Sequence, residues 1–141
     1  MEKERYIYTM DPYPQQSEDQ NKLYKFYQYL REGKLCTTKC KNCGHFPWPP
    51  RTICPECISD DLDWVELNTE GTIYAFTIQV AGVPAGFKAP LVYAVIDLGQ
   101  GIRILTPLVD TNAENVTIGS KVELSVMQVP NDRVLPAFKL K

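Results

Sequence analysis

Four of the chain's five cysteines fall into two tight pairs, Cys40-Lys41-Asn42-Cys43 and Cys54-Pro55-Glu56-Cys57, with ten residues between them. A two-residue spacer lets a tight turn aim both sulfurs inward while backbone amides offset their charge. Gly44 follows the first pair, where such a knuckle needs a residue that tolerates positive φ; Pro55 stiffens the second. Two facing knuckles make a ribbon around one tetrahedral ion, and four thiolates suit the borderline-soft Zn2+. Four cysteines close the coordination shell, so the expected metal is structural and holds together a module too small for its own core. The same ligands suit iron in a rubredoxin-like redox centre, and spacing alone leaves that alternative open. A redox Cys-x-x-Cys needs only one pair, usually at a helix start in an α/β setting that is absent here.

The rest of the chain divides around this module. Residues 1–16 mix charges, tyrosines (Tyr6, Tyr8 and Tyr13) and two prolines, and are expected to form an extended tail. Residues 17–33 read as a helix, with Ser17 and Gln20 as a capping box, Leu23, Phe26, Tyr27 and Leu30 as one apolar stripe, and Gly33 as the stop. Residues 34–67 form the cysteine module. From residue 68 to 141 the texture is short strands separated by Gly, Pro and Asn. Tyr74, Phe76, Ile78 and Val80 alternate as one half-buried face, and Leu91 to Leu98 reads as a central strand. Gly99-Gln100-Gly101 turns into Ile102 to Leu108, Val122, Leu124 and Val126 alternate, and a last strand is expected over Val134 to Leu140. The predicted fold is therefore mainly β: an N-terminal helix, a four-cysteine zinc ribbon, and a C-terminal five-stranded barrel of the oligonucleotide/oligosaccharide-binding (OB) type.

Charge narrows the function. Basic and acidic residues number five and six over 1–33, four and five over 34–67, and six and six over 68–141. Binding to nucleic acid needs a clustered basic face. No segment supplies one, and a tetrathiolate metal would add negative charge. A single-stranded nucleic-acid-binding module remains the rival reading, because ribbons and OB barrels both serve that role. The longest apolar stretch is too short to span a bilayer, and the mixed-charge start does not resemble a secretory signal, so a cytoplasmic protein without membrane contact is expected.

Catalytic sets are missing from the pattern: no paired carboxylates, no Ser-His-Asp set, no phosphate-cradling loop. His45 is the one histidine, and beside a complete set of four cysteine ligands it reads as a neighbour of the metal site or a surface residue. Cys36 reads as a buried spectator thiol. Two loops carry contact candidates. Phe46-Pro47-Trp48-Pro49-Pro50-Arg51 either packs the ribbon against the barrel or presents Phe46, Trp48 and Arg51 to a partner. Phe87 and Lys88 pose the same question in the loop between the first two barrel strands.

The order of Glu32-Gly33-Lys34-Leu35, Cys40-x-x-Cys43-Gly44, Pro49-Pro50-Arg51, Cys54-Pro55-x-Cys57, Trp64-Val65-Glu66, Gly71-Thr72-Ile73-Tyr74-Ala75-Phe76-Thr77 and Leu135-Pro136-Ala137-Phe138 resembles the family of rubredoxin-like zinc-ribbon proteins with a C-terminal OB barrel. The resemblance runs from about residue 20 to the end and implies a non-catalytic accessory subunit in acyl-CoA metabolism. Members of that family are similar to small partners of thiolases, of lipid-transfer-protein-like aldolases and of a thiolase–hydroxymethylglutaryl-CoA synthase assembly. One type is the small subunit of the benzoylsuccinyl-CoA thiolase of anaerobic toluene degradation. The implied partner is a thiolase-fold enzyme subunit in a hetero-oligomer, with the CoA thioester at or near the interface. Cys40, Cys43, Cys54 and Cys57 carry over as metal ligands.

Overall fold

The hydrophobic alternation of the C-terminal half closes on itself. The computed structural model describes residues 11–141. Helix α1 (Tyr24–Arg31) is followed by β1 (Cys36–Cys40) and β2 (Leu62–Glu66), an antiparallel pair that carries the cysteine module. Strands β3 (Glu70–Gln79), β4 (Leu91–Asp97), β5 (Arg103–Leu108), β6 (Lys121–Leu124) and β9 (Phe138–Leu140) form a closed barrel in the order β3-β4-β5-β9-β6. Between β6 and β9 lies a separate hairpin of β7 (Met127–Val129) and β8 (Arg133–Leu135). The expected last strand over Val134 to Leu140 is thus two strands, divided at Pro136 and Ala137.

The first barrel strand corrects the expected face. A register shift between Ile73 and Ala75 bulges Tyr74 out of the ladder. A bulge adds one residue and flips side-chain parity. Ile73 points into the core before the bulge and Phe76 packs against it after, whereas Tyr74, Ile78 and Val80 are exposed. Arg103 lies over the freed Tyr74 ring at 3.8 Å from its centroid. Simple period-two counting fails at Tyr74, where the strand changes phase; Ile78 keeps the phase of Phe76, opposite Val92 as Phe76 is opposite Ala94, and is exposed nonetheless.

The helix is also shorter than 17–33. Ser17 to Gln20 forms an isolated turn, and Ser17 Oγ meets the Gln20 side chain rather than its amide. Asn21 Oδ1 accepts the Leu23 amide at 2.8 Å, and Asn21 Nδ2 donates to the Gln15 carbonyl at 2.7 Å. These local bonds compete with helix formation and delay it to Tyr24. Phe26 and Leu30 then bury against Leu35, Leu67 and the barrel in one continuous core, while Tyr29 meets Trp64 of β2 at 5.9 Å between ring centroids.

Residues 1–10, with Tyr6 and Tyr8, lie outside the described residues. Residues 11–16 lie against the β7–β8 hairpin and the β3–β4 loop. The Gln16 side-chain amide pairs with both backbone groups of Val134, donating to the carbonyl at 2.6 Å and accepting the amide at 3.1 Å. Arg31 donates to Gln16 Oε1 and to the Asp132 carbonyl, both at 3.0 Å. Arg133, buried on β8, donates to the Tyr13 and Pro14 carbonyls and pairs with Asp11. Tyr13 in turn donates to the Gly86 carbonyl at 3.0 Å, and a side chain at residue 86 would run into the tyrosine hydroxyl.

This clamp predicts an acid limb. The hydrogen bond from Arg133 is the main cause holding the Asp11 carboxyl below its ordinary 3.8. A depressed folded value means that the pair's contribution is present above 3.8 and is lost as pH falls through the lower folded value. Thermal melts in steps from about pH 5 to about pH 2 should show a destabilising limb in the native chain that Asp11→Asn flattens. An unchanged limb in the variant would mean that Asp11 is not the titrating group.

Candidate metal centre

The two cysteine pairs stand on matching turns. In the first, the Gly44 amide donates to the Cys40 carbonyl at 2.9 Å and the Cys40 amide to the His45 carbonyl at 2.8 Å. In the second, the Ile58 amide donates to the Cys54 carbonyl at 2.9 Å and the Cys54 amide to the Ser59 carbonyl at 2.8 Å. Gly44 at φ 79° and Ile58 at φ 64° occupy equivalent left-handed positions. That conformation turns the next amide back toward a sulfur: His45 N–H toward Cys43, and Ser59 N–H toward Cys57.

All four Sγ atoms lie within 4.8 Å of one another, with Cys40–Cys57 and Cys43–Cys54 each at 3.5 Å. A tetrahedral ion with bonds of about 2.3 Å to sulfur holds its ligands about 3.8 Å apart, so the set is sized for one four-coordinate ion. Cys57 is favoured as thiolate, lowered to about 6 by the Asn42 side chain first and the Ser59 amide second. At Cys43 the His45 amide pulls downward, but burial and the neighbouring sulfurs prevail and push the thiol up to about 12. A metal cation bound here would replace the protons that the four sulfurs otherwise share. Cys36, away from the cluster, is buried and pushed up to about 11, chiefly by burial.

The contact candidates separate. Phe46 and Trp48 pack against the core, and Trp48 meets Phe26 edge-on at 5.9 Å between centroids. Arg51 has an exposed side chain, and its backbone is pinned twice by Thr38 Oγ1, at 2.8 and 2.9 Å. Thr37 fixes the Pro47 carbonyl in the same loop. Between the loop and the helix lies an apolar groove of about 240 Å³, lined by Leu23, Phe26, Tyr27, Trp48, Pro49 and Pro136 among others. Phe87 is half-buried and Lys88 exposed on the β3–β4 loop, a different element.

Asn42, Thr37 and Thr38 hold the site but are not evident from spacing. Their roles depend on contacts made across the fold, although three consecutive buried positions on β1 (Cys36, Thr37, Thr38) signal a strand covered on both faces. Among the described residues no helix is long and apolar enough to cross a membrane.

Residues 28–63 match the rubredoxin-like zinc ribbon domain of ChsH2, and residues 64–127 match the C-terminal OB-fold domain of ChsH2. A scaffold protein of Methanocaldococcus jannaschii containing the DUF35 domain is 36% identical over 101 residues, covering 70% of this chain and 71% of that protein. Benzoylsuccinyl-CoA thiolase subunit BbsA of Thauera aromatica is 32% identical over 95 residues, covering 67% of this chain and 65% of that subunit. Among solved structures, a chain of the Ltp2-ChsH2(DUF35) aldolase is similar at a TM-score of 0.70 and 28% identity, covering 82% of this chain and 91% of that one. The chain therefore belongs to the ChsH2-type DUF35 family, in which a rubredoxin-like zinc ribbon is joined to a C-terminal OB-fold domain.

Proposed function

We propose that this protein is a cytoplasmic, zinc-bearing, non-catalytic subunit that docks on a thiolase-fold acyl-CoA enzyme and helps form or shield its acyl-CoA site. The observation that carries the reading is the saturated tetrathiolate cluster within a family whose relatives are named as a scaffold, a thiolase subunit and part of an aldolase. Cys40, Cys43, Cys54 and Cys57 hold the ion and leave no open position for water, so the metal supplies shape and not Lewis-acid chemistry. His45 serves the ribbon through its backbone.

The chain's contribution is positional. A rigid module laid beside an acyl-CoA channel excludes water and favours the closed geometry without reactive groups of its own. The Thr37 and Thr38 bonds stiffen the Phe46 to Arg51 loop, which leaves Arg51 free to meet a phosphate or carboxylate. Phe87 and Lys88 mark a second contact loop on the barrel.

Purification of the chain from its native cells should bring down a thiolase-fold subunit in near-equal amount. That subunit alone should turn over its acyl-CoA substrate about 100-fold or more slowly than the complex, the scale of loss that small misplacement causes at a reacting centre. Full turnover without this chain would sink the reading.

A further inference from the structure

The two knuckles match bond for bond, yet Gly44 in one is answered by Ile58 in the other. Glycine adopts a left-handed conformation freely, whereas a β-branched residue is strained there. Local packing does not offset that strain, because Ile58 is 73% exposed. Ile53, on the other flank of the same knuckle, is 52% exposed. An apolar tip therefore projects from the ribbon at a position where glycine would be both easier and more soluble.

We infer that Ile58 and Ile53 form an anchor that inserts into an apolar socket, rimmed by basic side chains, on the catalytic subunit. This rests on reading the chain as a partner of such a subunit. Two isoleucines cannot bury the roughly 800 Å² per partner that a stable self-association needs, so the tip is one hot spot within a larger heteromeric interface. The rim follows from charge: Glu56 and Asp60 are exposed around the tip, Asp61 beside them pairs with Lys41, and four thiolates on one divalent ion would leave a net negative centre behind it. An anionic membrane or a nucleic-acid backbone is repelled by that arrangement.

The test sets stability against binding. In the isolated zinc-loaded chain, Ile58→Gly relieves the strain and should raise the melting temperature by a few degrees. In the complex it should raise the Kd for the co-purified catalytic subunit by about tenfold or more. Ile58→Asn, which also tolerates the left-handed region, should lose binding equally. Photo-crosslinking from Ile53→p-benzoylphenylalanine in native cells should yield an adduct with that subunit, and the same probe at exposed Ile118 on the barrel serves as the comparison. Unchanged Kd in both Ile58 variants, or no adduct from position 53 while the complex still purifies, overturns the anchor and leaves the accessory-subunit reading standing. An adduct with a protein of another class, lost in the Ile58 variants, keeps an anchor on a protein partner and overturns the thiolase-fold assignment. No adduct and no partner overturn both.

Discussion

Cys54→Ser is expected to empty the metal site and unfold the segment between Cys40 and Leu62 while the barrel stays folded. The reason is the distribution of buried side chains. Between β1 and β2 the buried apolar side chains are Cys54, Pro47 and Pro50, and Phe46 and Trp48 pack half-buried against the core. That burial is small against the backbone entropy of ordering the whole segment. Zinc binding supplies folding free energy that the segment lacks, as in small zinc modules that are unfolded without their metal. The barrel owes nothing to the ion, because Ile73, Ala94, Ile96, Ile104, Val122 and Phe138 are almost fully buried on their own account.

Elemental analysis should find one zinc per native chain and none in the variant. Amide NMR signals from 41–61 should collapse toward random-coil positions while those of β3, β4 and β5 persist. A strong chelator should reproduce the change in the native chain. Iron instead of zinc would reveal itself by colour, and a ribbon that kept its dispersed signals without any metal would end the structural-zinc account.

The unevenness of that response mirrors what could be read from residue order. The metal site was legible because its ligands lie within a few residues of each other, so spacing alone constrains the turn. The barrel was legible because five apolar runs with period near two leave few other architectures. Phase was not, since the Tyr74 bulge inserts one residue and sends Tyr74 outward. Nor was the clamp. Gln16, Arg31 and Arg133 each find a backbone partner more than one hundred residues away, and in isolation they look like ordinary surface polar residues. The helix start was misread for a local reason: Ser17 and Gln20 fit a capping box, but the Asn21 side chain takes the first available amide. Ile58 was equally silent, because an isoleucine after Cys57 is unusual only once its φ is known.

Phe138→Ala is expected to be the most damaging single substitution outside the metal site. The ring is fully buried at the point where the barrel closes. Strand β9 has three residues; it joins β5 through the single parallel pair Leu108 and Phe138, and β6 through Val122–Leu140, Glu123–Lys139 and Leu124–Phe138. The seam to β5 is the weaker one in backbone terms: beside its single ladder pair, the Phe138 carbonyl accepts the Val109 amide at 2.8 Å. Burial of the Phe138 side chain therefore carries much of the β5–β9 closure. Truncating a buried phenylalanine costs about 3–5 kcal/mol, which for a chain of this size lowers the melting temperature by roughly 10–15 °C. Phe138→Leu keeps most of the volume and should cost less than about 1.5 kcal/mol. Zinc content should remain at one per chain in both variants below their melting points, because the knuckles draw nothing from this ring. That separates the two failures: losing Cys54 dissolves the ribbon and spares the barrel, whereas losing Phe138 opens the barrel and leaves the metal in place. A fall of only a few degrees in Phe138→Ala would assign the closure to the strand ladder instead of the side chain.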